Sequence, residues 1–99
     1  MDYLVIKKLK DHQYAQCHVE TDGKWYYLYS YNTLVLAIKY NREEKIATVT
    51  RTGLYSMTTR KHISWFLKEY FPFISYAEIR DRCEDNKLYC FIGEMEGVD

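Results

Sequence analysis

The hydrophobic period of this chain changes at Gly53. Ahead of it several runs alternate apolar and polar residues, and in the segment just after it apolar residues recur every three to four. A period of two marks a strand with one face buried, and a period near 3.6 marks a helix lying on a core. Lys24–Tyr31 alternates, with Trp25, Tyr27, Tyr29 and Tyr31 on one face and Lys24, Tyr26, Leu28 and Ser30 on the other. Thr21-Asp22-Gly23 before it is a turn signal, so Ala15–Glu20 is expected to pair with it as a hairpin. Thr33–Tyr40 is apolar on both faces, which suits a central strand. Asn41-Arg42-Glu43-Glu44 then turns the chain into Lys45–Arg51, another alternating run. Strands at such short spacing are most simply joined as an antiparallel meander.

Beyond Gly53, Ile63, Phe66, Leu67 and Tyr70 form the stripe of an amphipathic helix over Thr59–Tyr70, with Ser56 or Thr58 as its N-cap. Pro72 ends it, because the residue before a proline is pushed out of the α region. Ser75 and Glu78 make a capping box for a second, short helix, which carries Tyr76, Ile79 and Cys83 on one side and a Glu78–Arg82 pair on its polar surface. Lys87–Ile92 reads as a last strand, apolar on both faces and therefore expected between two layers. Tyr3–Leu9 fits a strand or a helix. The expected class is α+β: an antiparallel meander of about four to five strands packed against one amphipathic helix and a second short helix. One domain, residues 1–99, is expected, with 92–99 a frayed acidic tail.

Composition narrows the function classes. The chain has 99 residues, 47% of them apolar and 28% charged, which is enough to bury a core and argues against disorder. Its formal net charge is zero, so the general excess of Lys and Arg that marks many nucleic-acid binders is missing. The balance is uneven: residues 1–75 hold 11 Lys/Arg against 7 Asp/Glu, and residues 76–99 hold 3 against 7. Cys17, Cys83 and Cys90 are odd in number and lack a CxxC spacing, which fits reduced thiols in a cytoplasm. No apolar segment follows a basic start and no apolar run approaches a membrane span, so neither a secretion signal nor a membrane partner is expected.

Aromatic content is high at 17%, with eleven tyrosines. The row Trp25, Tyr27, Tyr29, Tyr31 has two readings. It is either the core face of the sheet, favoured for its larger aromatic area, or a stacking platform for single-stranded nucleic acid flanked by Lys24 and Lys39. Trp65 falls almost opposite the helical core stripe, among Lys61, His62, Lys68 and Glu69. A ring placed there is either covered by the second helix or last strand or serves to anchor a partner.

Tyr55-Ser56-Met57-Thr58-Thr59-Arg60-Lys61-His62 gathers hydroxyls, helix-start N–H groups and cations within one turn, the chemistry of a phosphate or carboxylate site. Arg51, at the end of the preceding strand, is expected to reach the same point. The plainer reading has Ser and Thr capping the helix while His62 bonds a strand carbonyl. Catalytic signals are poor. Cys17 and His18 are adjacent in a strand and face opposite ways, and His12, His18 and His62 lack a metal-ligand spacing. No enzyme activity, cofactor or metal is expected.

Two stretches, Ser30-Tyr31-Asn32-Thr33-Leu34-Val35 and Tyr55–Ile63, together resemble a small uncharacterised domain of phages and mobile elements of Gram-positive bacteria. Its members show a SYxTLVA strand and a YSxTTxxHI strand-to-helix junction. The likeness covers roughly residues 25–70, and this chain departs from it at Leu36, where Ala is commoner. The resemblance implies a phage-type origin and a compact α+β fold, so the cytoplasm expected from the cysteines and the missing secretion signal is that of a bacterial host. Proteins of this size and origin often inhibit host defence, CRISPR systems included. The expected function is therefore a non-enzymatic protein that binds and modulates a host protein or nucleoprotein complex. The alternative is a nucleic-acid-binding accessory protein using the basic 59–70 helix face and the aromatic sheet. Homo-oligomerisation is compatible with both.

Overall fold

The computed structural model describes residues 3–53 and 56–96. In chain order these form β1 (Val5–Lys7), β2 (Cys17–Thr21), β3 (Trp25–Ser30), β4 (Thr33–Asn41), β5 (Ile46–Arg51), α1 (Met57–Tyr70), α2 (Tyr76–Arg82) and β6 (Leu88–Ile92). The strands make one six-stranded antiparallel sheet in the order β1-β2-β3-β4-β5-β6. The class is thus α+β, with slightly more strands than expected. The ambiguous opening segment is a strand and pairs with β2.

Local chemistry explains the boundaries. Asp22 shapes the β2–β3 turn: its Oδ1 accepts from the backbone N–H of Lys24 (2.9 Å) and Trp25 (2.7 Å). These donors, Trp25 first, hold the Asp22 carboxyl below its usual pKa. Gly23 follows at φ +91°, a conformation that glycine tolerates without steric penalty. Ser56 caps α1 by accepting from Thr59 N–H, and α1 ends at Tyr70, two residues before Pro72. Ser75 and Glu78 complete a capping box on α2, and Arg82 reaches Glu78 at 3.4 Å.

Both helices cover one face of the sheet. Ile63, Phe66, Leu67 and Tyr70 of α1, with Phe71, Ile74 and Ile79, pack on Val19, Tyr26, Leu28, Leu36, Ile38, Ala47 and Val49. The register Leu28↔Leu36 followed by Tyr29↔Leu34 leaves Val35 as an extra residue, a bulge. The bulge explains why Val35 and Leu36, adjacent in sequence, are both fully buried.

Two expectations are overturned. The buried row of β3 is Tyr26, Leu28 and Ser30, whereas Trp25, Tyr27 and Tyr29 lie on the uncovered face. Cross-strand neighbours decide this, not the aromatic area of the row. Tyr26 and Leu28 register with Thr21 and Val19 on one side and with Ile38 and Leu36 on the other, whereas Tyr27 and Trp25 register with Glu20, Ala37 and Lys39. Tyr31 leaves the row altogether and sits in the β3–β4 turn at φ 59°. Secondly, β6 is not sandwiched between layers. It is an edge strand with only Phe91 buried and with Leu88 and Ile92 exposed. Past it the chain is tied back rather than loose up to Glu96: Gly93 N–H donates to Lys45 O, Met95 N–H to the Tyr40 hydroxyl, and Glu96 N–H to Tyr70 O.

Candidate functional site

The two motif stretches meet in space. Ser30, the last residue of β3, and His62, in the second turn of α1, are joined by a 2.7 Å hydrogen bond between Ser30 Oγ and His62 Nδ1. Ser30 Oγ also lies 3.2 Å from Thr59 Oγ1, which lies 3.3 Å from Ser56 Oγ. Ser30, Thr59 and His62 are all buried, so this is a connected polar network inside an apolar core. Burial, followed by the nearby charges of Lys8 and His12, pushes the His62 imidazole below its ordinary pKa of 6.5, so the ring is neutral at physiological pH. The bond that His62 makes is thus to a serine hydroxyl rather than to the strand carbonyl expected. Beside the network, Ser30, Tyr31, Thr33, Val35, Ser56 and Thr59 line an open cavity of about 300 Å³.

The remaining candidates divide. Arg51 does not reach the α1 start: its guanidinium pairs with Asp85 (2.7 Å) and donates to the carbonyls of Ile79 (3.0 Å) and Arg80 (3.1 Å) at the end of α2. Thr58, Arg60, Lys61 and Lys68 are exposed on α1. Tyr55 lies outside the described residues. Trp65 is half-buried and covered from within the chain, though by neither element expected: His12, from the β1–β2 loop, stacks on it at 3.7 Å with planes 7° apart. Within the motif Thr59 and His62 are therefore turned into the core, whereas Thr58, Arg60 and Lys61 are left in solvent.

The uncovered face of the sheet is a second site. His18 stacks on Tyr29 (4.9 Å, 2°) and Trp25 on Tyr27 (5.6 Å, 4°), while the Lys39 ammonium sits 5.8 Å from the Trp25 ring centre. Desolvation, then Asp22 and Tyr29, raise the Tyr27 phenol above its usual pKa, so it stays a hydrogen-bond donor. Ile6, Ile46, Leu88, Cys90 and Ile92 extend this face toward both edges of the sheet, and its in-strand charges are Glu20, bonded to His18 at 3.1 Å, and Lys39. The alternation of Trp25, Tyr27 and Tyr29 made the row visible in the sequence, but not which way it points. Ser30 was visible in the first motif, yet nothing local linked it to His62, 32 residues away.

A six-stranded meander with both helices on one face and an aromatic, low-charge opposite face defines the molecule as a one-sided α+β sheet domain. The chain belongs to a family of unknown function, DUF8033, which matches residues 5–84 and so spans β1 to α2. No curated protein and no solved structure matches the chain. Among the described residues no helix is long and apolar enough to cross a membrane.

Proposed function

We propose that this chain is a non-enzymatic binding protein that docks its uncovered sheet face on a protein and acts by occluding it. The observation that carries the reading is the composition of that face: a Trp and two Tyr at its centre, isoleucines and a leucine toward its edges, and Glu20 and Lys39 as its in-strand charges. Protein-binding patches are enriched in aromatic residues and poor in charge at their centre, and rigid Tyr and Trp rings are their commonest anchors. A phage-type origin, suggested by the SYxTLV and YSxTTxxHI resemblance, makes a host protein or nucleoprotein complex the natural target. Defence machinery, CRISPR complexes included, is the first class to test.

The stacked rings and the cation over Trp25 favour a second reading, in which single-stranded nucleic acid lies on the sheet. Charge weighs against it. The cations Arg60, Lys61 and Lys68 belong to α1, which covers the opposite face, so they cannot hold the backbone of a strand stacked on Tyr27. Ser30 and His62 are the groups that a serine nucleophile and its base would use, but both are buried, and among the described residues no carboxylate accepts from the ring to orient it.

The test is capture by tagged wild-type protein from host lysate, run beside Tyr27→Lys and Arg60→Ala/Lys61→Ala variants of unchanged thermal stability. One stoichiometric protein lost with Tyr27→Lys and kept with the α1 variant supports the reading. Capture that follows the α1 variant overturns it. A gel shift on single strands that weakens steeply with salt and vanishes in Tyr27→Lys establishes the nucleic-acid reading instead. Labelling of Ser30 by a fluorophosphonate, absent in Ser30→Ala, would refute the non-enzymatic part.

A further inference from the structure

We infer that the free edge of β6 is an interface for a second copy of this chain, the two β6 strands pairing antiparallel about a two-fold axis at Cys90. This does not rest on the proposed docking of the uncovered face, although the side chains of Leu88, Cys90 and Ile92 belong to that face.

The two edges of the sheet are unlike. β1 is three residues long, contains Lys7 and is followed by Lys8 and Lys10. Shortness and lysines are the usual devices that keep an edge from pairing. β6 has neither: Leu88-Tyr89-Cys90-Phe91-Ile92 is five residues without a charge, and Leu88 and Ile92 are 69% and 79% exposed. An uncharged edge of this length, with no strand on its outer side among the described residues, is a template for another strand.

The ladder phase makes that strand a copy of itself. Gly93 N–H donates to Lys45 O, and in the same register Ala47 faces Phe91 and Val49 faces Tyr89. Bonded pairs alternate along an antiparallel ladder, so Tyr89, Phe91 and Gly93 direct their backbone groups at β5. Leu88, Cys90 and Ile92 direct theirs outward. These three positions are symmetric about Cys90. A second β6 run antiparallel bonds Cys90 to Cys90 and Leu88 to Ile92 of the other copy, which satisfies every outward group of the strand at once. On the uncovered face the side chains of Leu88, Cys90 and Ile92 from both copies then form one apolar stripe, and on the helix face Tyr89 meets Phe91 of the other copy. No like charges collide: Lys87 falls opposite Gly93 and Asn86 opposite Glu94.

The cysteine supplies the probe. Cys17 and Cys83 are buried, whereas Cys90 is exposed, and α-carbons of a bonded antiparallel pair lie about 5.5 Å apart. Light scattering on the purified chain should give twice the 12.0 kDa chain mass, falling toward the monomer on dilution. A short bis-maleimide should link wild-type chains through Cys90. Cys90→Ser should keep the dimer and lose the link. Cys90→Lys, which sets two cations on the axis, should weaken the dimer at least tenfold; Ile92→Lys is the second variant should that one misfold. Monomer mass up to the solubility limit overturns the inference, as does a dimer that both folded lysine variants leave intact. A strand taken only from a different protein would appear as monomer in this experiment and counts against it.

Discussion

His62 is held neutral by its burial, and that couples the stability of the fold to pH. Its folded pKa lies below the unfolded value of 6.5, so the unfolded chain binds the extra proton first as pH falls. Stability from this group is present above pH 6.5 and is lost as pH drops below it. Thermal melts from pH 8 to 5 should show this decline, and His62→Gln should flatten it while lowering stability throughout, because Ser30 loses the shorter of its two side-chain hydrogen bonds. Other single positions test close packing. A Cβ at Gly93 would run into the Phe73 ring, so Gly93→Ala should destabilise by about 1–3 kcal/mol in denaturant titration. The Tyr76 hydroxyl is buried without a hydrogen-bond partner among the described residues, so Tyr76→Phe should be neutral or stabilise by up to about 1 kcal/mol. None of these contacts was legible in the sequence, because each joins residues brought together only by packing. The motif did announce the helix cap, and Ser56 performs it, since a cap is satisfied within one turn of chain.

Among the elements, α2 depends most on its ends. Seven residues are too few for a helix stable by itself. Its start is closed by the Ser75–Glu78 box and its end by Arg51, which reaches from β5 to the carbonyls of Ile79 and Arg80 and to Asp85. Arg51→Met should therefore cost about 1.5–3 kcal/mol and raise amide exchange in α2 ahead of α1. Ser75→Ala should cost about 1 kcal/mol, with the same local signature. The capping box was readable from Ser75-x-x-Glu78 because its donors and acceptors are three residues apart. The role of Arg51 was not. An arginine at a strand end is equally suited to any acceptor within its reach, the α1 start included.

For the whole molecule, the one-sided sheet separates stability from binding. Tyr26→Ala, in the core, should destabilise by about 3–5 kcal/mol as a large-to-small change. Tyr27→Ala, on the uncovered face, should shift stability by well under half of that while abolishing partner capture; calorimetry and pull-down on the same samples check both. Periodicity, turn residues and caps by themselves determined that the chain makes strands between Ala15 and Arg51, then two helices and a last strand, because those signals act over two to four residues. They did not determine which side of the sheet the helices cover. Alternation presents two faces of equal spacing, and Trp25/Tyr27/Tyr29 and Tyr26/Leu28 each made a plausible inner row. Only the register with β2, β4 and β5 chose between them, by setting Val19, Leu36 and Ile38 beside Tyr26 and Leu28, and the charged Glu20 and Lys39 beside Tyr27 and Trp25. The same applies to β6, whose apolar run suits an interior strand or an edge equally well; its place at the end of the sheet order was decided by which strand was left to pair with it.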